Sequence, residues 1–259
     1  MTVKQIAEAI EEFAPLALQE SYDNSGLIVG QSDRHVRSAL VCVDITEPVI
    51  REAIETGAEM IISHHPAIFH AIKRLNSASY IERVVETAVK HDIALYACHT
   101  NLDSADGGMS FRLADILGIR NPAVLAPRTD KCCGFGIVGD IQPTGAVEFL
   151  SHVKRCLGIK AIRYSDTVFE TIDRVALCTG AGASLADDAR EAGAQLYIAA
   201  DFKYNDFLDA DRDLIIADIG HFESEYCAIE LIIDIIRKKF PNFALHKSKC
   251  SRNPINYLV

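Results

Sequence analysis

The chain has 259 residues, of which 49% are hydrophobic, so it is long enough to bury one large core or two smaller ones. Its formal net charge of −10 argues against a nucleic-acid binder, because that class of protein uses Lys and Arg to neutralise phosphates. No segment has the continuous apolar length of a membrane helix or the pattern of a signal peptide, which predicts a cytoplasmic protein with no membrane partner.

The N-terminal half alternates short apolar strands with amphipathic helices. After a helical pattern at residues 1–13, strands are predicted at 39–45, 59–63 and 93–99, with helices between them at 47–57 and 79–92. This βαβ rhythm predicts an α/β fold with mostly parallel sheets, whose strands are apolar because both of their faces are covered. Pro48 suits the first turn of the second helix, and Gly57 suits its C-terminal cap.

A second copy of the βαβ unit follows in the C-terminal half. Residues 39–65 align without gaps with residues 175–201, which predicts two related α/β modules, although chance similarity of two such units is an alternative. We predict a first module at 1–125, a second at 126–217, and a C-terminal segment at 218–259 that returns to the first module.

The eight cysteines do not have the spacing of a disulfide framework. Cys42, Cys98 and Cys178 lie in apolar, strand-like runs and are predicted to be reduced core residues. The adjacent Cys132 and Cys133 could supply a thiolate metal site, but there is no second closely spaced pair, so the core interpretation is favoured for them too.

Three groups of polar side chains each follow an apolar strand. The groups are Ser63-His64-His65-Pro66, His99 with Asp103, and His221 with Glu225. Any one group could be a set of surface residues or helix caps. However, open α/β sheets bind ligands at the carboxyl ends of their strands, so the shared position favours a common site. Imidazoles and carboxylates together are typical ligands of Zn, Fe or Mn.

The adjacent His64 and His65 indicate more than one ion. Successive side chains of a strand point to opposite faces, so the two imidazoles would not normally hold one small ligand. If Pro66 ends the strand, the two side chains diverge, and each can bind its own ion.

Two neighbouring ions need carboxylates to screen their repulsion, and Asp103 and Glu225 are the candidates for bridging or chelating them. If the last helix starts near Gly220, His221 lies four residues from Glu225 on one helical face. His99 is a further ligand, a residue that transfers a proton, or a partner that orients one of the ligands.

Five motifs, taken in order and spacing, resemble one family over nearly the whole chain: DNSGLIVG at 23–30, SHHP at 63–66, HTNLDSADGG at 99–108, GAGAS at 180–184 and GHFESE at 220–225. The family is the NIF-three-like dinuclear metal-centre hexameric proteins, often named GTP cyclohydrolase I type 2. The resemblance implies a two-domain α/β protomer in a toroidal homohexamer with a two-metal site. His64, His65, Asp103, His221 and Glu225 match the metal-ligand pattern of that family position by position.

Two metal ions at these residues favour a hydrolase that activates a bridging water on a small polar or nucleotide substrate, with His99 as a catalytic residue. GTP cyclohydrolase activity is what the resemblance implies. The alternative is a non-catalytic metal-binding scaffold or regulatory protein, whose site would be closed to substrate. The chain departs from the family pattern at Tyr22, where many relatives have Trp, at Ser25, where they have Val, and at Asn205, where they have His. The change at Asn205 leaves open which activity of the family this chain has.

Overall fold

The structure, a computed structural model, describes residues 1–128 and 133–258, and the chain divides into two compact units. Unit 1 consists of Met1–Ala105 together with Ala228–Arg252. Unit 2 consists of the described residues from Asp106 to Cys227 and from Asn253 onward. The C-terminal helix and strand therefore belong to the same unit as the N-terminal strands.

The elements are numbered in chain order. The strands are β1 (Gly26–Val29), β2 (Ser38–Cys42), β3 (Met60–Ser63), β4 (Ala94–Ala97), β5 (Arg120–Pro127), β6 (Gly134–Thr144), β7 (Arg163–Tyr164), β8 (Ile172–Ala181), β9 (Leu196–Ala200), β10 (Ile215–Asp218) and β11 (Ala244–Lys247). The α-helices are α1 (Val3–Phe13), α2 (Glu47–Thr56), α3 (Tyr80–Lys90), α4 (Thr100–Ser104), α5 (Met109–Leu117), α6 (Ala146–Leu157), α7 (Ala186–Glu191), α8 (Tyr204–Asp209), α9 (His221–Glu225) and α10 (Ala228–Lys239).

The sheet of unit 1 has the strand order β1-β4-β3-β2-β11. β4, β3, β2 and β11 are parallel, and β1 joins the edge in the antiparallel direction. The predicted βαβ rhythm is confirmed here, with α2 and α3 as the crossover helices. Gly57 ends α2 with a left-handed φ of 69°, a conformation that glycine adopts without the steric cost of a Cβ. Buried aliphatic side chains of β2, α2 and β3 form the core beneath these helices.

The sheet of unit 2 has the strand order β5-β6-β8-β9-β10-β7. Its centre, β8-β9-β10, is parallel, whereas β5, β6 and β7 pair in the antiparallel direction. The α/β class is confirmed, and the second sheet is more mixed than the βαβ repeat predicts. The long strand β6 runs close to its neighbours at its glycines: a Cβ on Gly139 would lie 2.6 Å from Ile119 Cγ2.

The predicted last helix is two helices in the structure. α9 begins at His221, directly after Gly220, whose φ is 88°, and it ends at Glu225. α10 begins at Ala228 and packs on α1 and β2 within unit 1. None of the helices in the described part of the chain is long and apolar enough to cross a lipid bilayer.

Candidate metal centre

Three histidines of unit 1 lie at the carboxyl ends of two neighbouring parallel strands. β3 ends at Ser63, directly before His64 and His65, and β4 ends at Ala97, two residues before His99. Ser63 pairs with Ala97, so the two strand ends are level. The ring centroids of the three histidines are between 4.9 and 5.3 Å apart. The sheet register therefore gathers imidazoles that are distant in the sequence.

The chain leaves regular strand geometry at His64, before Pro66. The backbone N–H groups of His64 and His65 donate to two successive carbonyls at the end of β2: to O of Cys42, its last residue, at 3.2 Å and to O of Val43, which follows it, at 3.0 Å. In a regular strand, successive N–H groups point to opposite neighbours, so this pairing is irregular. It explains how the two adjacent rings come to lie 4.9 Å apart at an angle of 44° instead of on opposite faces.

Each of these three imidazoles is held by its Nδ1 atom. The Nδ1 atom of His64 lies 2.9 Å from the backbone oxygen of Cys98. The Nδ1 atoms of His65 and His99 lie 2.8 Å from Oδ1 of Asp44 and of Asp23, respectively. Carbonyl and carboxylate oxygens only accept hydrogen bonds, so in the neutral imidazole Nδ1 carries the proton and the lone pair is on Nε2. This tautomer presents Nε2 as the metal-binding nitrogen.

Asp103 adds a carboxylate to the three imidazoles. It lies on α4, and its Oδ1 atom is 3.7 Å from Nε2 of His64, whose side chain has no exposed surface. One ring nitrogen from each of His64, His65 and His99 lies within 4.8 Å of the other two. Imidazole nitrogens with a nearby carboxylate are suitable ligands for divalent Zn, Fe or Mn, so the residues present fit a metal ion.

Unit 2 brings together the other two predicted ligands. On α9, Nε2 of His221 lies 3.1 Å from Oε1 of Glu225, as expected for residues four apart on a helix. The Nδ1 atom of His221 lies 2.7 Å from Oδ2 of Asp201. Burial lowers the pKa of His221, but hydrogen bonds and charges from Glu225 and Asp201 outweigh it and raise the pKa to about 9 in the metal-free chain.

The glycine-rich end of β8 packs against this pair. The backbone N–H of Gly180 donates to Oγ of Ser224 at 2.8 Å. Gly180 has a φ of +65°, and a Cβ at this position would clash with Oε1 of Glu225. The absence of a side chain at Gly180 therefore allows the buried Glu225 carboxylate to lie beside β8.

The sequence reasoning did not identify the carboxylates that hold the imidazoles: Asp23, Asp44 and Asp201. Asp44 and Asp201 follow β2 and β9, so both occupy the strand-end position that drew attention to the histidines. Asp23 opens the DNSGLIVG motif. A search for acidic residues directly after apolar strands, without requiring a neighbouring histidine, would have found Asp44 and Asp201.

The remaining residues singled out in the sequence lie elsewhere. Asn205 is the second residue of α8 and lies four residues after Asp201 in the sequence. Cys42, Cys98 and Cys178 are buried, and burial raises the pKa of the Cys98 thiol well above its usual value. Cys132 lies outside the described residues.

Comparison with known sequences gives a family match over most of the chain. The family model described as Duf34/NIF3 (NGG1p interacting factor 3) matches residues 1–254. A protein of Clostridium perfringens named GTP cyclohydrolase 1 type 2 homolog is 33% identical over 263 residues and is covered completely, as is this chain. A protein of the same name from Streptococcus pneumoniae serotype 4 is 32% identical over 267 residues, again with complete coverage of both chains.

Solved structures with the same fold cover both units. A hypothetical protein of Staphylococcus aureus has a TM-score of 0.93 at 26% identity, with 100% of this chain and 99% of that chain covered. A Bacillus cereus protein related to NIF3 has a TM-score of 0.91 at 23% identity and the same coverage, which is a likeness of fold.

Proposed function

Because this chain belongs to the Duf34/NIF3 family, we propose that it is a metal-dependent hydrolase with a dinuclear centre. The proposed ligands of two divalent cations are His64, His65, Asp103, His221 and Glu225. The assignment of all five to one centre rests on the match of each position to the ligand pattern of the family that the sequence resembles. Zn, Fe and Mn all suit these ligand types.

The observation that carries the proposal is the anchoring of every candidate imidazole through Nδ1. His65, His99 and His221 have a carboxylate at 2.7 to 2.8 Å from Nδ1, and His64 has a backbone carbonyl at 2.9 Å. A surface or capping histidine needs no such partner. Metal-ligating histidines almost always have one, because it fixes both the tautomer and the ring orientation.

Two bound divalent ions would supply Lewis-acid chemistry that activates water and polarises the bond to be hydrolysed. The protein orients the imidazole and carboxylate side chains. His64 is fully buried, so its ring has little freedom, and Asp103 and Glu225 provide negative charge within 4 Å of an imidazole nitrogen. In this proposal His99 uses Nε2 to take up and return a proton, while Asp23 keeps the proton on Nδ1.

The proposed substrate is a small polar molecule such as a nucleotide. The names of the 33% and 32% identical relatives support a test of GTP, with opening of its imidazole ring at C8 as the reaction. The sequence resemblance also supports a homohexamer, which light scattering of the purified protein would test. A particle with the mass of one chain would contradict that assembly.

Metal content tests the centre directly. We expect elemental analysis of protein purified without chelator to find about two ions per chain, and about one in each of the variants His64→Ala and His65→Ala. The exposed His91 at the end of α3 provides a control variant, His91→Ala, that should keep both ions. Zero or one ion in the parent protein, unchanged by the first two substitutions, would reject the dinuclear centre.

The bridging role and the catalytic role need separate experiments. If Asp103 bridges the ions, Asp103→Ala loses or weakens both of them, and retention of both would reject bridging. If His99 transfers a proton, His99→Ala keeps both ions but loses turnover of GTP. A parent protein that holds two ions and hydrolyses no nucleotide would instead support the non-catalytic scaffold.

A further inference from the structure

Two aromatic side chains of unit 1 are exposed next to the histidine cluster. Tyr22 has 64% of its surface exposed and Phe69 has 36%. Their ring centroids are 6.3 Å apart, and the planes are inclined by 55°. The Phe69 ring also contacts the His99 ring edge to face, with the centroids 6.0 Å apart at 76°. Large exposed rings beside a polar cluster are unlike the scattered single apolar residues of an ordinary surface.

The two rings are fixed to the cluster by one short turn, residues 22–24. Tyr22 supplies one of the rings. The next residue, Asp23, accepts the Nδ1 hydrogen bond of His99. The residue after it, Asn24, donates from Nδ2 to the backbone oxygen of Ile68 at 2.7 Å, directly before Phe69. The same turn therefore orients the proposed catalytic imidazole and holds both aromatic residues beside it.

We propose that Tyr22 and Phe69 form an aromatic platform that binds a flat heteroaromatic ring of the substrate next to His99. The inference rests on the proposed function, since it assigns a substrate class to the same site. A ring could not enter between the two side chains, because two stacked layers need about 7 Å and the centroids are 6.3 Å apart. The ligand ring would instead lie across their exposed faces.

The chemistry of the platform predicts what it selects. Every aromatic base has a π face, so stacking distinguishes ligands with a ring from ligands without one and discriminates little between bases. Burial, followed by the charges of Glu20, Asp23 and Asp103, raises the pKa of Tyr22, so the phenol stays neutral at physiological pH. Its ring is then a neutral stacking surface, and it is close enough to the proposed ligand Asp103 for that charge to act on the phenol.

A binding experiment on the metal-loaded protein tests the platform. Calorimetric titration with guanosine 5′-monophosphate and with ribose 5-phosphate compares two ligands that share a phosphate and differ in the base. We expect the nucleotide to bind tighter by about 5-fold to 150-fold, the range that one base stacked on aromatic side chains supplies. Tyr22→Ala and Phe69→Ala should each reduce this ratio, whereas Tyr22→Phe should preserve it because the ring remains.

Tyr80→Ala is the matched control, since Tyr80 is a 54% exposed tyrosine on α3 and is not part of the platform. It should leave the ratio unchanged. No binding of the nucleotide, equal binding of the two ligands, or a ratio unaffected by both alanine variants would overturn the proposal. A change of particle mass in Tyr22→Ala or Phe69→Ala would also overturn it, because the rings would then be a subunit contact.

The experiment is independent of turnover. A protein that binds the nucleotide through Tyr22 and Phe69 but hydrolyses nothing would retain the platform and reject the hydrolase. A protein that is hydrolytically active but shows equal affinity for the two ligands would reject the platform and retain the hydrolase.

Discussion

Replacing Asp23 with asparagine removes a charge that positions His99 without changing the size of the side chain. The side chain of Asp23 has no exposed surface. Its Oδ1 atom accepts hydrogen bonds from Nδ1 of His99 at 2.8 Å and from the backbone N–H of Asn24 at 2.7 Å. Its Oδ2 atom accepts from the backbone N–H of Thr100 and from Oγ of Ser25, both at 3.0 Å, and from the Thr100 hydroxyl.

The cost of the substitution follows from these bonds. An amide has one accepting atom, so whichever way the asparagine turns, at least two donors face its NH2 group instead of an oxygen. A buried donor without an acceptor costs about 1–3 kcal/mol, and the bonds that remain lose their charge assistance. Allowing for local relaxation, we expect Asp23→Asn to lower the free energy of unfolding by about 3 kcal/mol at pH 7.

The substitution also acts on the proposed chemistry, because His99 can then carry its proton on Nε2. We expect kcat to fall by about 10- to 100-fold with the metal content unchanged. Urea unfolding of the metal-free protein measures the change in the free energy of unfolding. The transition is followed by far-UV circular dichroism because the chain has no tryptophan. The exposed Asp33 gives the control Asp33→Asn, which should change neither quantity. A stability loss below about 0.5 kcal/mol in Asp23→Asn would show that its hydrogen bonds do not stabilise the fold as proposed.

The stability that Asp23 contributes to the fold should decrease as the pH falls. Burial by itself would raise the pKa of Asp23, but the hydrogen bonds from His99 and Thr100 outweigh it and hold the pKa well below its usual range. A lowered carboxyl pKa stabilises the folded state fully above the unfolded value of about 3.9, and this stabilisation is lost as the pH falls toward the folded value. The difference in stability between the parent and Asp23→Asn should therefore shrink on acidification below about pH 4.

Three further predictions concern unit 2. Asp201→Asn should weaken metal binding by about 10- to 100-fold, measured by competition with a chelator, because Asp201 orients the His221 ring. Metal binding should release a proton at pH 7 and strengthen as the pH rises toward 9, because His221 has a pKa of about 9 in the metal-free chain; calorimetry in two buffers of different ionisation enthalpy measures the proton. Gly180→Ala should reduce both stability, by about 1–3 kcal/mol in thermal unfolding, and metal content, because a methyl group there would displace Glu225.

Each of these has a matched comparison. Asp166 is exposed, and Asp166→Asn should keep the parental metal affinity. Gly193 has a φ of +74°, and a methyl group there would meet no atom within 4 Å, so Gly193→Ala imposes similar backbone strain and should leave metal content intact. Equal metal affinity in Asp201→Asn and the parent, affinity independent of pH between 7 and 9, or equal metal loss in the two glycine variants would contradict the corresponding prediction.

The α/β class and much of the local structure follow from the amino-acid sequence. Apolar strands covered on both faces, the helix between Thr46 and Gly57, and the four-residue spacing of His221 and Glu225 all depend on residues close together in the chain. Hydrophobic periodicity and helix capping depend on residues within one or two turns of each other, which is why these features can be predicted from a short stretch of residues. The family was recognisable for a related reason, since its motifs are short and contiguous.

The groups that hold the imidazoles depend on the folded arrangement of distant segments. Asp23 and His99 are 76 residues apart, and Asp201 and His221 are 20 apart, with no periodic pattern to relate them. Their contacts depend on the order of strands within a sheet and on irregular geometry such as the paired N–H donors of His64 and His65. Hydrophobic periodicity indicates which face of a helix or strand is buried. It does not indicate which carboxylate, distant in the sequence, will accept a hydrogen bond from a given imidazole. The tautomers that present Nε2 to a metal therefore follow from the folded chain alone.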